Sequence, residues 1–317
     1  MKQQTIFILI LFFALTLFAA APTVENVTFN QRTDGSLVVD IYYDLSDNDA
    51  ETKKIVVEAS ADNGSTWNLA CSSLTGDVGD NVAQGTGKHV VWDFYADNPN
   101  LDGDQFKIRV TALETGTMTD YDGNVYPTVK IGDQWWMAEN LKVTHYNDGF
   151  PIGFLRNDAD WRAISGDCYA IYDNDRSNIS THGLLYNWAV VDPANAHDIA
   201  PTGWHVPTDA EWTTLQNTLG VSAGSKLAGR ADLWKDGSLE NNANFGASGF
   251  DALPGGFRHY DIGGFALKGN YASFWSSSSN DNSNAWPRSL HYDSTDIGRT
   301  YISKKSGFSV RLVKDAE

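Results

Sequence analysis

Hydrophobic and polar positions along the chain fall into two regimes. Leu37, Val39, Ile41, Tyr43 and Leu45 alternate with Val38, Asp40, Tyr42 and Asp44. A period of two over that length predicts a strand with one buried face. Ile55–Ala59, Val90–Trp92 and Phe106–Val110 repeat the pattern, and turn-forming clusters separate them at Ser46–Asp49, Asp62–Gly64 and Asn98–Asn100. Roughly five to seven short strands within about a hundred residues predict an immunoglobulin-like or fibronectin-like β-sandwich over residues 22–116. The polar stretch Thr115–Asn124 marks a boundary, and a second domain is expected over residues 117–317.

In the second region the pattern changes. Val125–Ile131 reads as a strand leading into Gln134–Met137. Thr208 with Glu211 three residues later is a capping box, so a helix is predicted from there. Trp212, Leu215 and Leu219 share one face of it, and Gly220 ends it. A second helix is predicted around Leu184–Val191, and a closing strand over Phe308–Val313 with Phe308, Val310 and Leu312 inward. The remainder is loop, rich in Gly, Asn and Ser. Nine of the eleven tryptophans lie here, so large aromatic anchors are expected to hold those loops. Trp136, Trp188, Trp204, Trp212 and Trp275 are expected in the core. Trp161, Trp234 and Trp286 sit among polar neighbours and are expected at the surface.

Residues 1–21 read as a secretory signal peptide: Lys2, an apolar run Ile6–Phe18, then Ala19–Ala21. No second apolar run follows, so no transmembrane segment is expected in the mature chain. The expected destination is extracellular, at the cell surface or in the periplasm. Cys71 and Cys168 fall in different domains. A bridge between them would staple the domains; otherwise they are two separate thiols. The net charge of −17 has no offsetting basic face and argues against a nucleic-acid partner.

Six blocks follow one another in the second region: Trp136–Leu141, Leu184–Trp188, Pro201–Pro207 with Glu211 and Trp212, Ala252–Arg258, Phe274–Ser277 and Gly307–Arg311. In that order they resemble the Fibrobacter succinogenes major paralogous domain over roughly residues 125–314. The resemblance implies an exported bacterial protein and an α+β, C-type-lectin-like C-terminal domain related to formylglycine-generating enzymes, here preceded by an all-β sandwich. Family members often carry paired cysteines flanking the Tyr-rich loop, and this chain keeps only Cys168 there. Sulfatase-modifying relatives of the fold use a cysteine pair with bound copper, which one cysteine does not supply.

Other chemistry is sparse. No Gly-x-Ser-x-Gly elbow is present, and His205, between tryptophans, reads as a hydrogen-bonded structural histidine. Asp173, Asp175 and Asn178 offer oxygens at the spacing calcium loops use, without the glycine and distal glutamate of an EF-hand. An Asx-rich turn is the other reading. Asp44, Asp47 and Asp49 form a similar acidic loop. Trp275, Asn280, Asp281, Asn282, Asn284, Trp286 and Arg288 place aromatic faces beside amide and carboxylate groups. Sugar rings are recognised by that combination. The expected function is therefore an exported, non-catalytic protein binding a glycan or a surface protein. A hydrolytic or protein-modifying enzyme and a structural surface protein are the alternatives.

Overall fold

The computed structural model describes residues 22–47, 52–67 and 69–315. The expected signal segment and Asp49 lie outside the described residues. Seven strands build the first region: β1 (Thr23–Gln31), β2 (Val38–Ser46), β3 (Lys53–Ser60), β4 (Leu74–Gly76), β5 (Gly79–Val82), β6 (Gly85–Asp93) and β7 (Lys107–Leu113). One sheet runs β1-β2-β6-β4 and the other β5-β3-β7. Between them Ile41, Tyr43, Val57, Val90 and Trp92 form one apolar cluster.

The alternation read from β2 is realised at Val39, Ile41, Tyr43 and Leu45, all buried. Leu37 departs from it. It precedes the strand with a left-handed φ of 55°, which turns its side chain off the buried face and leaves it 39% exposed. Phe29 pairs with Ile41 and so faces the same side, yet it is 42% exposed. Beyond β7 no further strand joins the β5-β3-β7 sheet among the described residues. A cleft of about 310 Å³ opens beside Phe29, Leu37, Leu101 and Phe106.

The second region begins earlier than the polar stretch suggested. β8 (Thr115–Thr119) pairs with β9 (Val125–Ile131), so Thr115 and Gly116, expected to close the sandwich, face Val129 and Thr128 instead. The change of sheet occurs across Glu114, whose carboxylate is held 2.9 Å from Lys130 Nζ. Gly116 suits this crossing, because a Cβ there would lie 3.1 Å from Thr128 Oγ1 and 3.5 Å from the Trp135 ring. Contacts across the junction are both apolar and polar. Leu113 packs on the cluster containing Val129 and Phe250, and Lys54 Nζ lies 3.2 Å from Asp251.

The rest is mostly short strands in several small sheets. β10 (Gln134–Met137) joins β9, and Val313–Asp315 adds to its other edge with Trp136 opposite Val313. The longest hairpin of this second region pairs Tyr271–Ser279 with Asn284–His291. The helix Asp209–Leu219 forms with its capping box intact, Thr208 and Glu211 each accepting from the other's backbone N–H. Trp212 and Leu215 are its buried face, and Gly220 ends it.

Two predicted elements differ. Leu184–Val191 contains a two-residue strand, Leu185–Tyr186, and a 3₁₀ turn, Trp188–Val191. Its backbone groups are taken by neighbours: Tyr186 donates to Phe308 O and Trp188 to Lys304 O, so no longer helix forms. Phe308–Leu312 threads between separate sheets, making single bridges from Phe308 to Tyr186 and from Ser309 to Phe274. Phe308, Val310 and Leu312 are buried as expected, but Ser309 and Arg311 between them are buried too, so the expected alternation of faces is absent.

The tryptophans pack two adjoining cores. Trp136 and Trp212 stack obliquely at 5.0 Å in one, and Trp188 and Trp275 lie in the other. Trp161 and Trp234, expected at the surface, are 0% and 6% exposed. Each satisfies its indole N–H on a carbonyl, Lys305 O at 2.9 Å and Gly229 O at 3.1 Å, which makes burial tolerable. Trp204, expected in the core, is only half-buried.

Candidate functional site

The residues singled out around the long hairpin separate into an internal and an external set. Trp275 is fully buried and donates to Tyr186 O at 2.8 Å. Arg288 is 1% exposed. Its guanidinium pairs with Asp209 and donates to Asp209 O at 3.0 Å and Thr213 Oγ1 at 2.9 Å. It ties the hairpin to the start of the helix and is closed to a ligand. Neither residue belongs to a binding surface.

Asn280, Asp281 and Asn282 are exposed, and Asn284 is half-buried. Asp281 organises the turn, accepting from the amides of Ser283 at 2.7 Å and Asn284 at 2.8 Å and from the Asn284 side chain at 3.0 Å. Those bonds, the Asn284 side chain foremost, hold its carboxyl below the usual range. Asn282 makes no hydrogen bond of its own.

Trp286 is not an open stacking face. The Arg299 guanidinium lies over its ring at 3.8 Å, and Tyr301 meets it edge-on at 5.8 Å. The other half-buried indoles are covered likewise: Arg109 lies over Trp67 at 4.5 Å, and Lys314 approaches Trp135 and Trp204 at 5.9 and 5.6 Å. Cation–π contact explains this arrangement. Every tryptophan is buried or half-buried, so the expectation of an open tryptophan platform is corrected.

Beside the hairpin turn lies a cleft of about 490 Å³, lined in part by Asn187, Trp188, Asn282, Ser283, Lys304 and Lys305. Its walls are fixed by backbone bonds. Lys304 N donates to Ser283 O at 2.9 Å, and Lys304 O accepts from Trp188 N at 3.0 Å. Asn187 accepts from Cys168 N at 3.0 Å and donates to Gly166 O at 2.7 Å. Lys304 Nζ sits over the Trp188 ring at 4.0 Å. Of the residues anticipated from sequence, only Asn282 faces this cleft. Lys304 and Lys305 carry no motif or periodicity that marks them in sequence, whereas Trp286 stands out as an aromatic among polar neighbours. The Lys304-Lys305 pair in a strongly acidic chain was the available signal.

A second cleft of about 370 Å³ lies across the Trp188–Asp192 turn and includes His197, His205 and Ser277. His205 Nε2 is 2.6 Å from Glu211 Oε1, and that bond raises the imidazole pKa. His197 Nδ1 is 2.6 Å from Asp148, and its ring stacks on Phe150 at 4.2 Å. Ser277 Oγ donates to Val206 O at 3.1 Å and is not hydrogen-bonded to either histidine. A nucleophile paired with a base is therefore not assembled here.

The anticipated calcium residues take other partners. Asp175 accepts from Ser177 N at 2.9 Å. Asn178 donates to Tyr172 O, and its Oδ1 accepts from Lys268 Nζ at 2.9 Å. A lysine ammonium thus stands where a cation would draw on that oxygen. Asp173 is an exposed, left-handed residue at φ 53°. Among the described residues, no group of three or more His, Cys, Asp or Glu side chains is placed to hold a metal ion. Cys71 and Cys168 are both free thiols. No helix among the described residues is long and apolar enough to cross a membrane.

The family model of the Fibrobacter succinogenes major domain matches residues 129–314, more than half of the chain, and the chain belongs to that family. No curated protein and no solved structure matches it.

Proposed function

We propose that this member of the Fibrobacter succinogenes major domain family is an exported, non-catalytic protein that binds a glycan in the cleft beside the Asn280–Asn284 turn. The observation that carries the reading is the cleft itself. It is preformed, of the volume small-ligand sites occupy, and edged by Asn282, whose amide has no internal partner. Sugar hydroxyls need paired amide and hydroxyl groups, and Ser283 and Ser303 supply hydroxyls on the same lining. Rigid walls reduce the ordering cost of binding. The sandwich serves as a spacer that carries this surface clear of the cell. A catalytic reading gains no support from the second cleft, where the serine and the histidines are bonded elsewhere.

The test is a glycan array probed with the folded chain, followed by calorimetry on any sugar retained. Binding that weakens at least tenfold in Asn282→Ala, with unchanged thermal stability, supports the assignment. An array that retains nothing, or a ligand indifferent to Asn282→Ala, sinks it.

A further inference from the structure

The sign of the charge around this cleft runs against the sign of the chain. The protein carries 40 acidic and 23 basic side chains, yet Lys304 and Lys305 stand together on the cleft wall. Neither makes a salt bridge. Lys304 Nζ rests over Trp188 at 4.0 Å, and Lys305 Nζ donates to Arg162 O at 3.1 Å. Lys305 also lines a shallower opening with Arg162, and the Arg162 side chain has no acidic partner either. Asp261 lines the shallower opening with Lys305 and Arg162, whereas the two carboxylates at the cleft itself accept hydrogen bonds of their own. Asp192, the acidic side chain in the cleft lining, accepts from Ala194 N at 2.9 Å. Asp281 is spent on its own turn.

An unpaired cation pair beside hydrogen-bonding amides suits a ligand that carries both anionic groups and hydroxyls. We infer that the cleft selects an anionic sugar, with a carboxylate or sulfate of the glycan set against Lys304 and Lys305 and its hydroxyls against Asn282 and Ser283. This rests on the glycan reading above and narrows it. The contact is a local one, screened by salt. Lys304 is positioned for it, because its backbone is pinned on both sides and its ammonium is held over the Trp188 indole at the cleft wall.

The experiment compares oligogalacturonate with its carboxyl-reduced, neutral counterpart, and dextran sulfate with dextran, by calorimetry on the full chain. Poly-glutamate is the non-sugar polyanion. At least one anionic glycan is expected to bind, at least tenfold more tightly than its neutral partner, and to weaken as salt rises. The two pairs show whether carboxylate or sulfate is the group recognised. Lys304→Gln and Lys305→Gln are each expected to weaken that binding roughly fivefold. Asn282→Asp, an exposed change that adds a negative charge to the cleft, is expected to weaken it about tenfold without altering the melting temperature. It keeps the test valid should a lysine variant fold poorly.

Equal binding of charged and neutral glycans, sensitive to Asn282→Ala, overturns the anionic inference and leaves the glycan reading standing. Binding of poly-glutamate with no glycan bound overturns both. Anionic glycan binding unaffected by either lysine variant and by Asn282→Asp overturns the placement in this cleft.

Discussion

Asn140 Oδ1 accepts a hydrogen bond from Arg311 Nε at 2.7 Å across 171 positions of sequence. Arg311 is fully buried and donates as well to Met137 O and Phe250 O, both at 2.7 Å, and to Asp251 O at 3.0 Å. The Phe250 ring lies 4.6 Å beneath the guanidinium. Asn140 in turn donates to His182 O at 2.8 Å. The first and last sequence blocks of the family domain are thereby joined to the two residues just before the block at Ala252. Burial pushes the Arg311 pKa down to about 9, so the group still carries its charge at neutral pH.

A lysine at 311 keeps the charge but cannot reach four acceptors in one plane. Arg311→Lys is expected to destabilise the chain by roughly 3 kcal/mol, because orphaned buried acceptors cost about 1–3 kcal/mol each. Urea unfolding checks it. A loss under about 0.5 kcal/mol would show that the pin is dispensable.

The blocks were readable from sequence because each carries a buried anchor. Arg258, in the fourth block, is the same device as Arg311, fully buried and donating to Gly263 O, Leu155 O and Arg156 O. The helix at Thr208 was readable because its cap and its apolar face are local. What sequence hid was which partner each side chain meets. Trp161 looks exposed among Asp160, Arg162 and their neighbours, yet Arg258 lies 4.5 Å over its ring from about a hundred positions away. Arg288 looks like a ligand contact until Asp209 claims it. Long-range contacts leave no periodicity, so Trp161, Trp234 and Arg288 read as surface groups although they are buried.

Trp161 and Trp286 should therefore behave oppositely to the expectation from their neighbours. Trp161→Ala removes a buried indole and an N–H bond to Lys305 O, and is expected to cost about 3–5 kcal/mol. Trp286→Ala should cost no more than about 1 kcal/mol, since the ring is half solvated. Thermal and urea melts of both variants decide it. The reverse order would mean that Trp286 carries packing that its exposure does not suggest.

The two cysteines offer a chemical check on burial. Cys168 is 1% exposed, and burial raises its thiol pKa well above the usual value. Cys71 is pushed up to about 12, by burial first and then by Asp97. Thiolate is the reactive form, so neither is expected to react promptly with a disulfide reagent in the folded chain. Both should react after unfolding, and reductant should leave the melting temperature unchanged. Fewer than two thiols in the unfolded chain would reveal a bridge.

Two histidines should tilt the pH dependence of stability in opposite directions. His182 is 8% exposed, and burial, aided by the Lys268 charge, lowers its pKa from 6.5 to about 4. The unfolded chain then binds a proton that the native chain refuses. Stability from this group is whole above pH 6.5 and declines as pH falls from 6.5 toward 4, by on the order of 3 kcal/mol. His205 has a raised pKa from its bond to Glu211, so its contribution is whole below pH 6.5 and fades as pH rises through the folded value. Being well exposed, it should show only a weak effect. Replacing His182 by Asn should flatten the acid limb of a urea-midpoint profile between pH 6.5 and 4. Replacing Glu211 by Gln should bring the His205 resonance back toward its ordinary titration midpoint while leaving that acid limb in place. An acid limb unchanged in His182→Asn would assign the acid sensitivity to the carboxylates instead.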